Sequence, residues 1–134
     1  MYGPSITAET AKKIAPAAIA EAKKNNWTMA IAIVDTHGEL VYFERMDDVQ
    51  QGSVDVAVAK ARSAARFKRP TKTFQDGLAA GGAGLRLLAL DGAIPVEGGI
   101  PLVVGGKIVG AIGASGGTSE QDGLVAGAAV AQLK

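Results

Sequence analysis

The residues able to do chemistry fall into three groups. Arg45, Asp47, Lys60 and Glu97 are ionisable groups set beside apolar runs. An arginine can clamp a carboxylate through two parallel hydrogen bonds. A carboxylate can move a proton, and a lysine can polarise a carbonyl. Together they suit a cofactor-free enzyme, a lyase or isomerase, acting on a small carboxylate or aromatic metabolite. The plainer reading makes Arg45 and Asp47 a fixed charge pair. It lets Lys60 snorkel its ammonium to water from the edge of a helix stripe.

The second group is basic: Arg62, Arg66, Lys68, Arg69 and Lys72. Such a patch suits the carboxylates of an acidic ligand or the acidic face of another subunit, with a solvated surface as the simplest alternative. Phe67 and Phe74 are the only aromatics nearby, too few for a base-stacking nucleic-acid platform. His37, the one histidine, follows a strand at a turn. It is the candidate metal ligand by its imidazole alone, and a single histidine without partners does not make an ordinary zinc site.

The third group is glycine. Gly98-Gly99, Gly105-Gly106, Gly110, Gly113 and Gly116-Gly117 punctuate the last third of the chain. Glycine weakens a strand unless a ligand or a second backbone must come close. One reading is a pocket wall of bare backbone, with Gly110, Gly113, Ser115 and Gly116 against a ligand. The other is tight turns and close helix packing. Gly116-Gly117-Thr118-Ser119 opens a helix, where anions can bind exposed N–H groups. Glu120 and Asp122 already place negative charge there, so the stretch reads as a helix cap before an anion site. No Walker loop is present, because no Lys-Ser/Thr pair follows at the required spacing.

The elements that must position these groups are legible from periodicity. An alanine-rich helix is expected over Thr7–Asn25, capped by Thr7, with Pro16 predicting a kink or a later start. Runs at 27–34 and 39–46 read as a hairpin whose turn uses Gly38. Helical period returns at 53–67, with Val54, Val58, Ala61 and Ala65 as the expected inner stripe. Asp55, Arg62 and Arg66 then share one edge of it, and Lys60 lies on the other. Shorter helices are expected over 72–80 and 85–90. Two further strands flank Gly105-Gly106, and a helix closes the chain over 118–134, with Thr118 and Gln121 at capping-box spacing. This order predicts one α+β domain over residues 1–134, with helices against a mostly antiparallel sheet.

The bulk numbers agree with that size. The chain has 134 residues, 48% hydrophobic but only 4% aromatic, so small aliphatic side chains must build the core. A net charge of +1 offers no general attraction to nucleic acid or a membrane surface. Cysteine is absent, which excludes disulfides and thiolate chemistry. No apolar run approaches the roughly 18 residues of a membrane span. With no basic flank or apolar signal core at the N-terminus, a cytoplasmic location is expected.

The motifs together resemble a known family. They are Val34-Asp35-Thr36-His37-Gly38-Glu39-Leu40-Val41, then Arg45-Met46-Asp47, then Lys60-Ala61-Arg62-Ser63-Ala64 with Phe67 and Arg69-Pro70-Thr71. Gly98-Gly99-Ile100-Pro101, the run from Val109 to Gly117, and Glu120-Gln121-Asp122 complete the set. The chain resembles the GlcG/HbpS-like family of small haem-binding proteins, and is similar to the C-terminal domain of PduO-type corrinoid adenosyltransferases. The resemblance implies a profilin-like α/β sandwich with a central five-stranded antiparallel sheet, and a homo-oligomer. It implies haem or another tetrapyrrole as ligand, in a setting of small-molecule catabolism, with Arg62 or Arg66 near the propionates. In the corrinoid-enzyme relatives a histidine on the first helix is linked to haem. Thr7–Asn25 has none, and His37 does not inherit that role.

Overall fold

The computed structural model describes residues 1–134. The first helix, α1 (Ala8–Lys24), starts where Thr7 accepts the Thr10 N–H at 3.1 Å. It does not wait for Pro16: the helix runs through the proline, whose ring lies on the exposed face. Ala11, Ile14, Ala15, Ala18, Ile19 and Ala22 are buried on the opposite face.

Strands β1 (Ala30–Val34) and β2 (Leu40–Arg45) form the expected hairpin. Helices α2 (Ser53–Phe67) and α3 (Thr71–Ala79) follow, separated by Lys68 in a left-handed conformation and by Pro70. A 3₁₀ segment, Gly82–Ala89, has no buried residue. The second hairpin joins β3 (Gly99–Val104) to β4 (Lys107–Ser115). Helix α4 (Ser119–Val130) carries the full capping box of Thr118 and Gln121.

The sheet is antiparallel with order β2-β1-β4-β3, so it has four strands and not the expected five. The stretch 91–98 before β3 contains Pro95, which has no N–H for a ladder, and it stays irregular. At the N-terminus Tyr2 adds only a single parallel bridge to Ile108.

The sheet is covered on both faces. On one, Ile31, Ile33, Leu102 and Ile112 pack with α1 and α4. These four side chains are fully buried, and each stabilises the fold by about 1.5–3 kcal/mol. On the other, Ala30, Ala32, Val34 and Ala111 pack with α2. The buried stripe of α2 matches the predicted one at Ala61 and Ala65 but not at Val54 and Val58. Val54 and Val58 are only half-buried, while Ala57, Lys60, Ala61, Ser63, Ala64 and Ala65 face inward. Small residues win the inner face because β4 comes very close. A Cβ on Gly113 would overlap the Ala57 carbonyl oxygen and lie 2.7 Å from the Ala61 nitrogen.

Candidate functional site

The most buried polar feature joins α2 to α4. Lys60 donates to Asp122 Oδ2 at 2.8 Å and to the Ala114 carbonyl at 3.0 Å. The two side chains are 1% and 4% exposed. Asp122 Oδ1 also accepts the Gly117 N–H at 2.9 Å. Beside them Thr71 Oγ1 accepts the Gly99 N–H at 2.9 Å. Gly98 makes room for the lysine, since a Cβ there would stand 2.8 Å from Nζ. No buried side-chain polar atom in the chain lacks a partner. Lys60 therefore neither snorkels nor faces a cavity. Asp122 does more than complement the helix dipole. It and Thr71 were missed as interior groups, and the available signal was the Gly98-Gly99 pair, where a Cβ would crowd Lys60 Nζ at Gly98 and the Lys60 carbonyl and Thr71 at Gly99.

The glycine wall is filled by protein. At Gly110 a Cβ would overlap the Val34 carbonyl oxygen, and at Gly116 the Thr28 carbonyl oxygen. Ser115 is buried and pairs with Ala30 across the sheet. Gly110, Gly113 and Gly116 thus meet backbone of β1, α2 and the approach to β1.

The acid–base group is scattered. Arg45 and Asp47 are exposed at the end of β2, where they share two shallow clefts and form no ion pair with each other. Glu97 lines a different cleft with Lys72, Gln75, Ser119, Glu120, Gly123 and Leu124. Lys60 lines none of the three.

Arg62 and Arg66 do come together. With Asp55, Val58, Ala59, Gly92 and Ile94 they line a pocket of about 370 Å³ on the outer edge of α2. Helical spacing of 100° put Asp55, Arg62 and Arg66 on this edge. Each guanidinium is held by the β1–β2 turn. Arg62 Nε–H donates to the Gly38 carbonyl and Arg66 Nε–H to the His37 carbonyl, both at 2.9 Å. The only other partner of either guanidinium is Glu39, 3.8 Å from Arg66 Nη2 at the surface. His37 joins this arrangement by its backbone. Its ring is exposed, with Nδ1 3.4 Å from Thr36 Oγ1. No cluster of three or more His, Cys, Asp or Glu side chains is placed to hold a metal.

A family described as "Haem degrading protein HbpS-like" matches residues 6–131. The chain belongs to the HbpS-like family. It is 39% identical to protein GlcG of Escherichia coli K12 over 82% of this chain and 81% of that one. The crystal structure of HbpS superposes with a TM-score of 0.89 at 29% identity, covering 100% of this chain and 94% of that one. The PduOC:heme complex superposes with a TM-score of 0.86 at 27% identity, covering 97% and 96%. The HbpS-like chain also has no helix long and apolar enough to cross a membrane.

Proposed function

We propose that this HbpS-like chain binds haem or a related tetrapyrrole, with the propionates on Arg62 and Arg66. The observation that carries the reading is the pair of latched guanidiniums at one end of the pocket along α2. Val58, Ala59 and Ile94 supply the apolar wall a macrocycle edge needs. A guanidinium matches a carboxylate in shape and charge. The lining thus fits the acidic edge and one face of the ring. It includes no His, Cys, Met or Tyr, so axial ligation is no part of the proposal. Membership in the family and the likeness to a haem complex support the same choice.

The test is titration of the purified protein with haemin, followed in the Soret region. Saturable binding with a defined stoichiometry is expected. Replacing Arg62 and Arg66 together by alanine should weaken it by about tenfold or more, since hydrogen bonds to charged groups are worth roughly 1.5–3 kcal/mol. A flat titration would sink the proposal. The reading extends to assembly: the chain works as a cytoplasmic homo-oligomer. Leu85, Leu88 and Leu90 support the self-association, being 55%, 72% and 44% exposed on and just after the 3₁₀ segment.

A further inference from the structure

The β1–β2 turn does more than reverse the chain. Asp35 Oδ1 accepts the N–H groups of His37 and Glu39, both at 2.9 Å. Gly38 takes φ 88°, a left-handed value that a side chain rarely adopts. These two features turn the carbonyls of His37 and Gly38 toward α2, where each receives one arginine Nε–H. A side chain at Gly38 would have to push the Arg66 guanidinium aside. A Cβ on Gly38 would lie 2.6 Å from Arg66 Nε and 3.1 Å from its Cζ.

A guanidinium has five N–H donors in a rigid plane. Committing Nε to a carbonyl orients that plane and leaves both Nη groups of Arg62 to a ligand, with Nη1 of Arg66, whose Nη2 lies 3.8 Å from Glu39. Arg62 and Arg66 are four residues apart, so successive turns of α2 stack them about 5–6 Å apart at Cβ. Asp55 lies seven residues before Arg62, roughly 10 Å along the helix at about 1.5 Å per residue. Between them on α2 the lining is Val58 and Ala59, and the stretch before β3 adds Gly92 and Ile94. The pocket is therefore polarised: a fixed cationic end, an apolar middle and an acidic far end that turns an anion away from the wrong orientation.

We infer that the Asp35–Glu39 turn, through Gly38, is the positioning device of this pocket, and that it selects flat apolar ligands carrying two ionised carboxylates over the same ligands with those carboxylates esterified. The selection rests on the proposed tetrapyrrole reading. The latch does not, because it exists without ligand. Gly38 is a positioning residue, acting through Arg66 and Arg62, and Arg66 and Arg62 make the contact.

Protoporphyrin IX and its dimethyl ester test the selection, because they share one macrocycle and differ only in charge at the propionates. In wild type the diacid should bind more tightly than the ester by about tenfold. In Gly38→Ala that preference should shrink toward equality while the ester's own affinity stays unchanged. Arg66→Lys keeps the charge but loses the Nε–H bond to His37, and it should reduce the preference without straining the turn. A general loss of structure would weaken acid and ester alike, and that result would overturn the inference. So would a wild-type preference retained in both variants. The latch is read separately from the arginine Nε–H resonances of the ligand-free protein. The Arg62 and Arg66 signals, assigned apart from those of Arg69 and Arg86, whose Nε–H groups also donate to backbone carbonyls, should both exchange slowly in wild type, and the Arg66 signal should exchange faster in Gly38→Ala; fast exchange of both in wild type would overturn the latch. If the latch is seen but neither porphyrin acid nor haemin binds, the tetrapyrrole reading and its selection fall while the latch stands.

Discussion

At the scale of single residues, position decided role. Lys60 was a candidate for polarising a carbonyl, and its burial against Asp122 makes it a strut between α2 and α4. Removing one member of a buried ion pair strands the other, at a cost of about 3–5 kcal/mol. Lys60→Met is expected to lower unfolding stability by that amount in urea denaturation, and the double variant Lys60→Met, Asp122→Leu should recover a large part of it. If the double variant is as unstable as the sum of both single changes, the two groups are not coupled. Tyr42 gives a pH prediction. Its hydroxyl donates to Glu44 Oε1 at 2.6 Å, and its pKa is pushed from 10.0 up to about 12 by burial first, then by that bond and the Glu44 charge. Between those values the unfolded chain has lost the phenolic proton and the folded chain keeps it. Stability should therefore fall as pH rises from about 10 through about 12. Tyrosinate absorbance should show one tyrosine titrating near that upper value, and Glu44→Gln should bring it down.

At the scale of elements, close approach explains most of what periodicity misjudged. The inner stripe of α2 was expected to hold Val54 and Val58, yet the helix turns Ala57, Ala61 and Ala64 inward because β4 is nearly touching it. Gly113 is the contact point. A methyl group there would press on the Ala57 carbonyl, so Gly113→Ala is expected to cost about 1–3 kcal/mol, measured as a lower midpoint in urea. An unchanged midpoint would mean that α2 can lift from the sheet without loss. The same reasoning accounts for the glycine stretch from Gly110 to Gly116. Glycine spacing announces that something comes close, but cannot say whether it is a ligand or the chain's own backbone.

At the scale of the whole molecule, one sheet between α2 on one face and α1 with α4 on the other leaves the outer edge of α2 and the 3₁₀ segment facing out. Light scattering at several concentrations is expected to give a species heavier than the 13.5 kDa chain. A single 13.5 kDa species throughout would remove the proposed self-association through Leu85, Leu88 and Leu90. The helices, the two hairpins and the sharing of one helix edge by Asp55, Arg62 and Arg66 were all legible in the sequence. They follow from local rules: hydrophobic period, turn glycines, caps and 100° per residue. The number of strands, the burial of Lys60 and the joining of Gly38 to Arg66 were not. Lys60 and Asp122 are 62 residues apart, and His37 and Arg66 are 29 apart. No local pattern encodes which distant carbonyl or carboxylate a long side chain will meet. Only the packing of α2 across the sheet brings those atoms within hydrogen-bond reach, and it is this packing that separates the buried Lys60–Asp122 pair from the two arginines held by the β1–β2 turn.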